Sequence, residues 1–211
     1  MKKSLDQCAS ELKDWLQGGS NPKLDASFGE WKDDLQSGGT HAMLDTGKEA
    51  GTRRREATAA IAQRGDVQAM TTEARERFYD ALVHYSTENM EAIAEGRLPN
   101  AGSAEIADGK MLYGLELNAD KATAFRLALG YGPQDAAALK AQIMERVQSG
   151  AYDLTIGKAD QFGTRYATYF TATGHEGKTA RLCAAWFMDA ESPRSLRLIN
   201  AYVDRQRGKK P

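Results

Sequence analysis

Cysteine and histidine are scarce in this sequence, and long apolar runs are missing altogether. The two cysteines, Cys8 and Cys183, lie far apart, and there are three scattered histidines. No close pair offers the ligand spacing of a zinc or iron–sulfur site, so neither a structural metal nor a cofactor is expected. No segment approaches the roughly 18 consecutive apolar residues that a membrane span requires. The opening Met1-Lys2-Lys3-Ser4-Leu5-Asp6-Gln7 turns polar where a secretory peptide needs an apolar core. The expected location is the cytoplasm, or an exported state reached by a specialised, non-Sec route, with no membrane partner. Phosphate-loop and dinucleotide glycine motifs are absent as well, so an enzyme acting on a small anionic substrate has no motif behind it.

What is present is a chain of 211 residues with 41% hydrophobic and 27% charged residues. That suits one or two small soluble domains, each with a core of its own. The formal net charge of −1 conceals an asymmetry. Residues 1–107 carry 13 basic and 18 acidic side chains, whereas residues 108–211 carry 15 and 11. A basic second half suits an anionic partner. Between the halves, Gly96-Arg97-Leu98-Pro99-Asn100-Ala101-Gly102-Ser103 gathers helix stoppers and turn formers. The expected organisation is a helical scaffold or adaptor over residues 1–97 and a separate domain over residues 98–211.

The first half opens with a short duplication. Leu5-Asp6, Glu11, Lys13, Asp14, Leu16, Gln17 and Gly18-Gly19 return as Leu24-Asp25, Glu30, Lys32, Asp33, Leu35, Gln36 and Gly38-Gly39. Asp6 and Asp25 suit helix N-caps, and each glycine pair suits a helix end. Longer helices are predicted near 47–64 and 72–94, the second with Phe78, Leu82 and Tyr85 on one stripe. Arg53-Arg54-Arg55 reads as a solvated helical face, with Glu49 and Glu56 in reach.

The second half changes period. After a short edge at Ile106 and a turn of helix at 108–114, Ala122, Phe125 and Leu129 mark one helix ended by Gly130. Ala136, Leu139, Ile143 and Val147 mark another ended by Gly150. Residues 163–172, 178–188 and 195–204 then alternate and are rich in β-formers. Helices followed by an antiparallel meander predict an α+β fold: an all-helical N-terminal half, then a two-helix plus antiparallel-sheet domain.

Alternation also sorts side chains by face. Leu182, Ala184, Trp186 and Met188 share an apolar side suited to covering by helices. Arg165, Ala167, Tyr169 and Thr171 share one face of the first strand, and Leu198, Asn200 and Tyr202 one face of the last. One pairing of the strands collects Arg165, Tyr169, Arg181, Asn200 and Tyr202 on an open face. Guanidinium groups neutralise phosphates and rings stack on bases, so that face suits single-stranded RNA. The plain alternative also stands, since antiparallel sheets commonly keep one polar, wet face.

These residues carry a resemblance. Leu98-Pro99-Asn100-Ala101, Ala104-Glu105-Ile106, Leu117-Asn118, Lys121-Ala122, Phe125, Leu129-Gly130-Tyr131 and Phe162-Gly163-Thr164-Arg165-Tyr166 occur in a recognisable order. Thr173-Gly174, Gly177-Lys178-Thr179-Ala180, Trp186 and Arg197-Leu198-Ile199-Asn200-Ala201-Tyr202-Val203 continue it. The region 98–204 resembles an uncharacterised bacterial domain family. Its members stand alone or form the C-terminus of phage head-morphogenesis (MuF-type) and polymorphic-toxin-like proteins. That family is similar to the barnase–EndoU–colicin–RelE ribonuclease toxins. The resemblance implies a toxin or effector domain that cleaves RNA without metal. Arg165, Arg181 and Arg197 would supply positive charge, and Tyr166 or Tyr202 would orient or exchange protons. Lys121, Tyr169 and Asn200 would bind substrate. Two departures stand out: the family's histidine-containing loop before the lysine is replaced by Asn118-Ala119-Asp120, and Asn200 stands where Thr is usual. His175, beside Glu176, reads as a polar hairpin-turn residue. The rival expectation is a non-enzymatic interaction protein, an immunity, adaptor or phage accessory factor, with its partner held through residues 1–97.

Overall fold

A computed structural model describes residues 48–204, so the duplication at residues 5–39 lies outside the described residues. The described chain forms two compact units, one ending at Glu95 and one starting at Gly96.

The first unit is helical: α1 (Lys48–Ala62), α2 (Gly65–Gln68), α3 (Thr72–Leu82) and α4 (Thr87–Ala94). Ile61, Val67, Phe78, Leu82, Tyr85, Met90 and Ile93 form its core. The single helix expected over 72–94 is two helices. The first ends at Leu82 with Val83 as its C-cap, and Ser86 starts the second, its hydroxyl accepting from Asn89 N as an N-cap. Arg54 of α1 stabilises the break by donating to the carbonyls of Leu82, Val83 and Tyr85 at 2.7, 3.0 and 2.6 Å. These are the orphan carbonyls of a helix end. Burial pulls the Arg54 guanidinium down to about 10. Arg53 pairs with Glu91 through two nitrogens. Of the arginine run, then, Arg55 alone matches the expected solvated face, because the other two tie α1 to α3 and α4.

The second unit begins with a 3-10 turn and the two-residue strand β1 (Ala104–Glu105). Helix α5 (Asp108–Leu112) runs into one π-helical turn, Tyr113–Leu117, followed by α6 (Ala119–Leu129) and α7 (Ala136–Ser149). The strands are β2 (Asp153–Asp160), β3 (Gly163–Thr173), β4 (Thr179–Asp189) and β5 (Leu196–Val203). They form a sheet of order β1-β5-β4-β3-β2, with β1 parallel to β5 and the remainder an antiparallel meander. The fold class is α+β.

Helices cover one sheet face. Tyr166, Phe170, Leu182, Trp186, Met188, Leu196 and Leu198 are buried there with Phe125, Leu129, Leu139 and Ile143 of α6 and α7. The Trp186 indole donates to Thr168 Oγ1 at 3.0 Å and that hydroxyl to Ala184 O at 3.3 Å, so these buried polar groups are satisfied. The hairpin between β3 and β4 meets the end of α6 closely. A Cβ on Gly174 would lie 2.0 Å from Leu129 O, so only glycine fits.

Two features escape simple alternation. Strand β2, with its polar sequence Asp153-Leu154-Thr155-Ile156-Gly157-Lys158-Ala159-Asp160, is an edge strand whose register slips between Ile156 and Ala159. In β5, Leu198 pairs with Trp186 whereas Asn200 pairs with Ala185, leaving Ile199 as an extra residue. Such a bulge reverses the facing of everything beyond it. The expected face of Leu198, Asn200 and Tyr202 is therefore corrected: Leu198 joins the core, and Asn200 and Tyr202 lie on the other side.

Candidate functional site

The open face is read directly from the register. Arg165 lies opposite Phe187, and Phe187 opposite Arg197; Tyr169 lies opposite Cys183, and Cys183 opposite Tyr202. The bulge at Ile199 is what lets Arg197 and Tyr202, five residues apart, point to the same side. Two clusters result, centred on residues four apart in β4, about 13 Å along the strand. Between them run Ala167, Ala185 and Asn200 in register. The small side chains of Ala167 and Ala185 thus lie between the two groups of rings and guanidiniums.

In the first cluster, the Arg165 and Arg197 guanidiniums stand 5.6 and 5.0 Å from the Phe187 ring centroid. Arg165 also donates to Asp160 Oδ2 at 2.7 Å. That hydrogen bond holds the Asp160 carboxyl below the usual carboxylate range. In the second cluster, Arg181 lies 5.1 Å from the Tyr169 ring and donates to Asp153 Oδ2 at 3.2 Å. Its Nε lies 3.2 Å from Asp204 Oδ2, yet it is buried and lacks hydrogen-bond geometry. Hydrogen bonding with the Cys183 thiol, and then burial, push the Tyr202 phenol up. Burial likewise pushes up the Cys183 thiol and the Tyr169 phenol. All three groups hold their protons at neutral pH, so Cys183 is not a thiolate nucleophile.

Lys121 reaches the same strand from the first turn of α6. Asn118 caps that helix, accepting from Lys121 N at 3.1 Å, and the Lys121 ammonium donates to Asn200 Oδ1. Tyr166 is not brought together with the others. It is 1% exposed on the helix-covered face, paired with Trp186, where no substrate reaches it.

His175 is more than a turn residue. Its Nε2 lies 2.9 Å from Asp135 Oδ1, and its ring meets Tyr131 edge-on at 5.4 Å. Asp135 also accepts from Gly132 N at 2.9 Å, and Tyr131 donates to Thr173 O at 2.8 Å. The histidine thus docks the β3–β4 hairpin on the α6–α7 connection and does not stand on the open face.

Sequence alternation places Phe187 on the face of Arg181 without showing that two arginines converge on its ring, and it misses the aspartates 153, 160 and 204. Two of those aspartates belong to β2, which alternation does not reveal. Among the described residues, no group of three His, Cys, Asp or Glu side chains could hold a metal ion. No helix among them is long and apolar enough to cross a membrane.

Comparison with known proteins is spare. No curated protein and no solved structure matches the chain. One family model does match, described as a domain of unknown function (DUF6883), over residues 97–205. That span contains the sheet and its helices and is more than half of the 211 residues. The chain belongs to the DUF6883 domain family.

Proposed function

We propose that the second unit binds single-stranded RNA across the open sheet face and cleaves it without metal, as the working domain of a bacterial or phage-linked toxin or effector. The observation that carries this reading is the pair of ring-and-guanidinium clusters flanking Ala167 and Ala185 on one sheet face. Rings give bases a stacking surface, and guanidiniums neutralise phosphates. The resemblance of residues 98–204 to toxin-associated domains supports the same class.

In this chemistry the RNA 2′-oxygen bonds to the adjacent phosphorus and the bond from phosphorus to the 5′-oxygen breaks. The 2′-hydroxyl gives up its proton to solvent or to Asp153, a carboxylate 75% exposed on the same face. The departing 5′-oxygen takes a proton from solvent or from the Tyr202 phenol, which lies on the same face. Arg165, Arg181 and Arg197 stabilise the charge that builds on the phosphate oxygens.

The test is inducible expression of the full chain in a bacterial host, scored for growth and RNA integrity, beside Arg165→Ala and Arg181→Ala. Growth arrest with fragmented RNA is expected. Losing one donor to a developing oxyanion should slow cleavage by about a hundredfold or more. Normal growth and intact RNA, with the wild-type chain folded, would sink the reading.

A second reading has its own support. Arg165 and Arg181 already have aspartate partners, and no histidine among the described residues stands on the face. Those features suit a non-enzymatic interaction protein whose sheet face is an ordinary polar exterior. It predicts a stable protein complex formed through residues 1–97 and no effect of either arginine on RNA.

A further inference from the structure

Most of the cations around the sheet already have anions. Arg165 pairs with Asp160, Arg181 with Asp153 and Asp204, and Lys140 with Asp108. Lys110 and Lys121 differ. Both converge on the β5 bulge, Lys110 donating to Ile199 O at 3.4 Å and Lys121 to Asn200 Oδ1. Among the described residues no carboxylate pairs with either. Lys121 is half-buried, and burial lowers its pKa; Tyr113 opposes that shift, and Lys110 adds the smallest, lowering contribution. The half-buried Lys121 ammonium has no carboxylate counter-ion among the described residues and Lys110 reaches the adjacent residue of the bulge, so a bound anion would offset the desolvation of Lys121.

The neighbouring polar groups are arranged to donate. Lys121 can only donate, so Asn200 turns its carbonyl oxygen toward it and keeps its amide N–H groups for something else. Asn118 Nδ2 donates to the Tyr113 hydroxyl at 3.3 Å, which leaves the phenolic hydrogen available. Tyr113 is 46% exposed, and its ring lies 5.3 Å from the Lys121 ammonium. Two ammoniums, the Asn200 amide and the Tyr113 phenol therefore gather around the bulge with donors to spare and, among the described residues, no carboxylate paired with either lysine.

We infer that Lys110, Lys121, Asn200 and Tyr113 form a binding site for a phosphate group at the β5 bulge. Several donors spread around a point suit a tetrahedral, multiply charged oxyanion. A planar carboxylate is better matched by the fork of an arginine. The phosphate can be free or part of a nucleic-acid backbone, and the site stands whether or not the open face cleaves RNA.

The experiment titrates the full chain with inorganic phosphate and, separately, with a single-stranded RNA oligonucleotide, by calorimetry at low salt. Lys110→Gln, Lys121→Gln, their double variant and Lys140→Gln are compared after each is shown to be folded. Inorganic phosphate should bind, with each single substitution at the site weakening it about tenfold, the cost of one charged hydrogen bond. Lys140→Gln should leave it unchanged. In the wild-type chain, phosphate should also shift the amide resonances of the Asn200 side chain. Oligonucleotide binding that weakens in the same variants identifies a nucleic-acid backbone as the source, whereas weakening confined to inorganic phosphate identifies a free phosphate. Absent phosphate binding, or affinity unchanged in the double variant, overturns the site. Scoring RNA fragmentation by the wild-type chain separates the two proposals: phosphate binding without fragmentation leaves the site standing, and fragmentation without phosphate binding leaves the cleavage reading standing.

Discussion

Arg165 has two partners that pull its guanidinium in different directions, the Asp160 carboxylate at 2.7 Å and the Phe187 ring. The ion pair has a pH signature. Asp160 titrates lower in the folded chain than its unfolded value of about 3.9, so the pair contributes fully above that value and its contribution fades as pH falls through the lower, folded one. Denaturant unfolding of the wild type and Arg165→Met should therefore differ most near neutral pH and converge below about pH 4. A difference that persists undiminished into strong acid would mean that Arg165 acts through Phe187 alone. Sequence reading found Arg165 but not Asp160, since nothing in the alternation of residues 153–160 announces a strand.

At the scale of elements, much of the second unit was legible. Phe125 and Leu129, and Leu139, Ile143 and Val147, repeat at helical spacing, and these residues are buried in α6 and α7. Strand β3 alternates cleanly, and in β4 the face of Trp186 is the covered one. Where legibility failed, one local event outweighed the period. In β5 the even positions Leu196, Leu198, Asn200 and Tyr202 look like one continuous face until a single extra residue breaks it. The stripe of Phe78, Leu82 and Tyr85 runs past a helix end because Arg54, distant in sequence, stabilises the break. The β3–β4 hairpin supplies a test of tight docking. Gly174→Ala would drive a methyl into Leu129 O, and overpacking of this kind costs about 1–3 kcal/mol. Thermal unfolding should show the loss. An unchanged melting temperature would mean that the hairpin is free to lift from the end of α6.

For the molecule as a whole, the charge asymmetry between halves finds a place in the second unit, where Arg197, Lys110 and Lys121 have no carboxylate partner among the described residues. Their small number sets the salt dependence of the proposed RNA binding. With three to five phosphate contacts at about −0.7 per contact for a single strand, log affinity against log salt should slope between about −2 and −4. A fluorescence titration over several salt concentrations measures this. A much steeper slope would place binding on some other, more basic surface of the chain. The site residues themselves were only partly legible: arginines and tyrosines declare their chemistry by type, but pairing with aspartate depends on which strands become neighbours.

The slip in β2 has a consequence for the company this domain keeps. An outermost strand that is flat and regular is a template for unwanted growth. Here the ladder is interrupted between Ile156 and Ala159, and Lys158 sits within the interruption, 70% exposed. A second copy trying to extend the described sheet along β2 would meet an irregular ladder and a solvated charge halfway along, and both disfavour edge-to-edge growth.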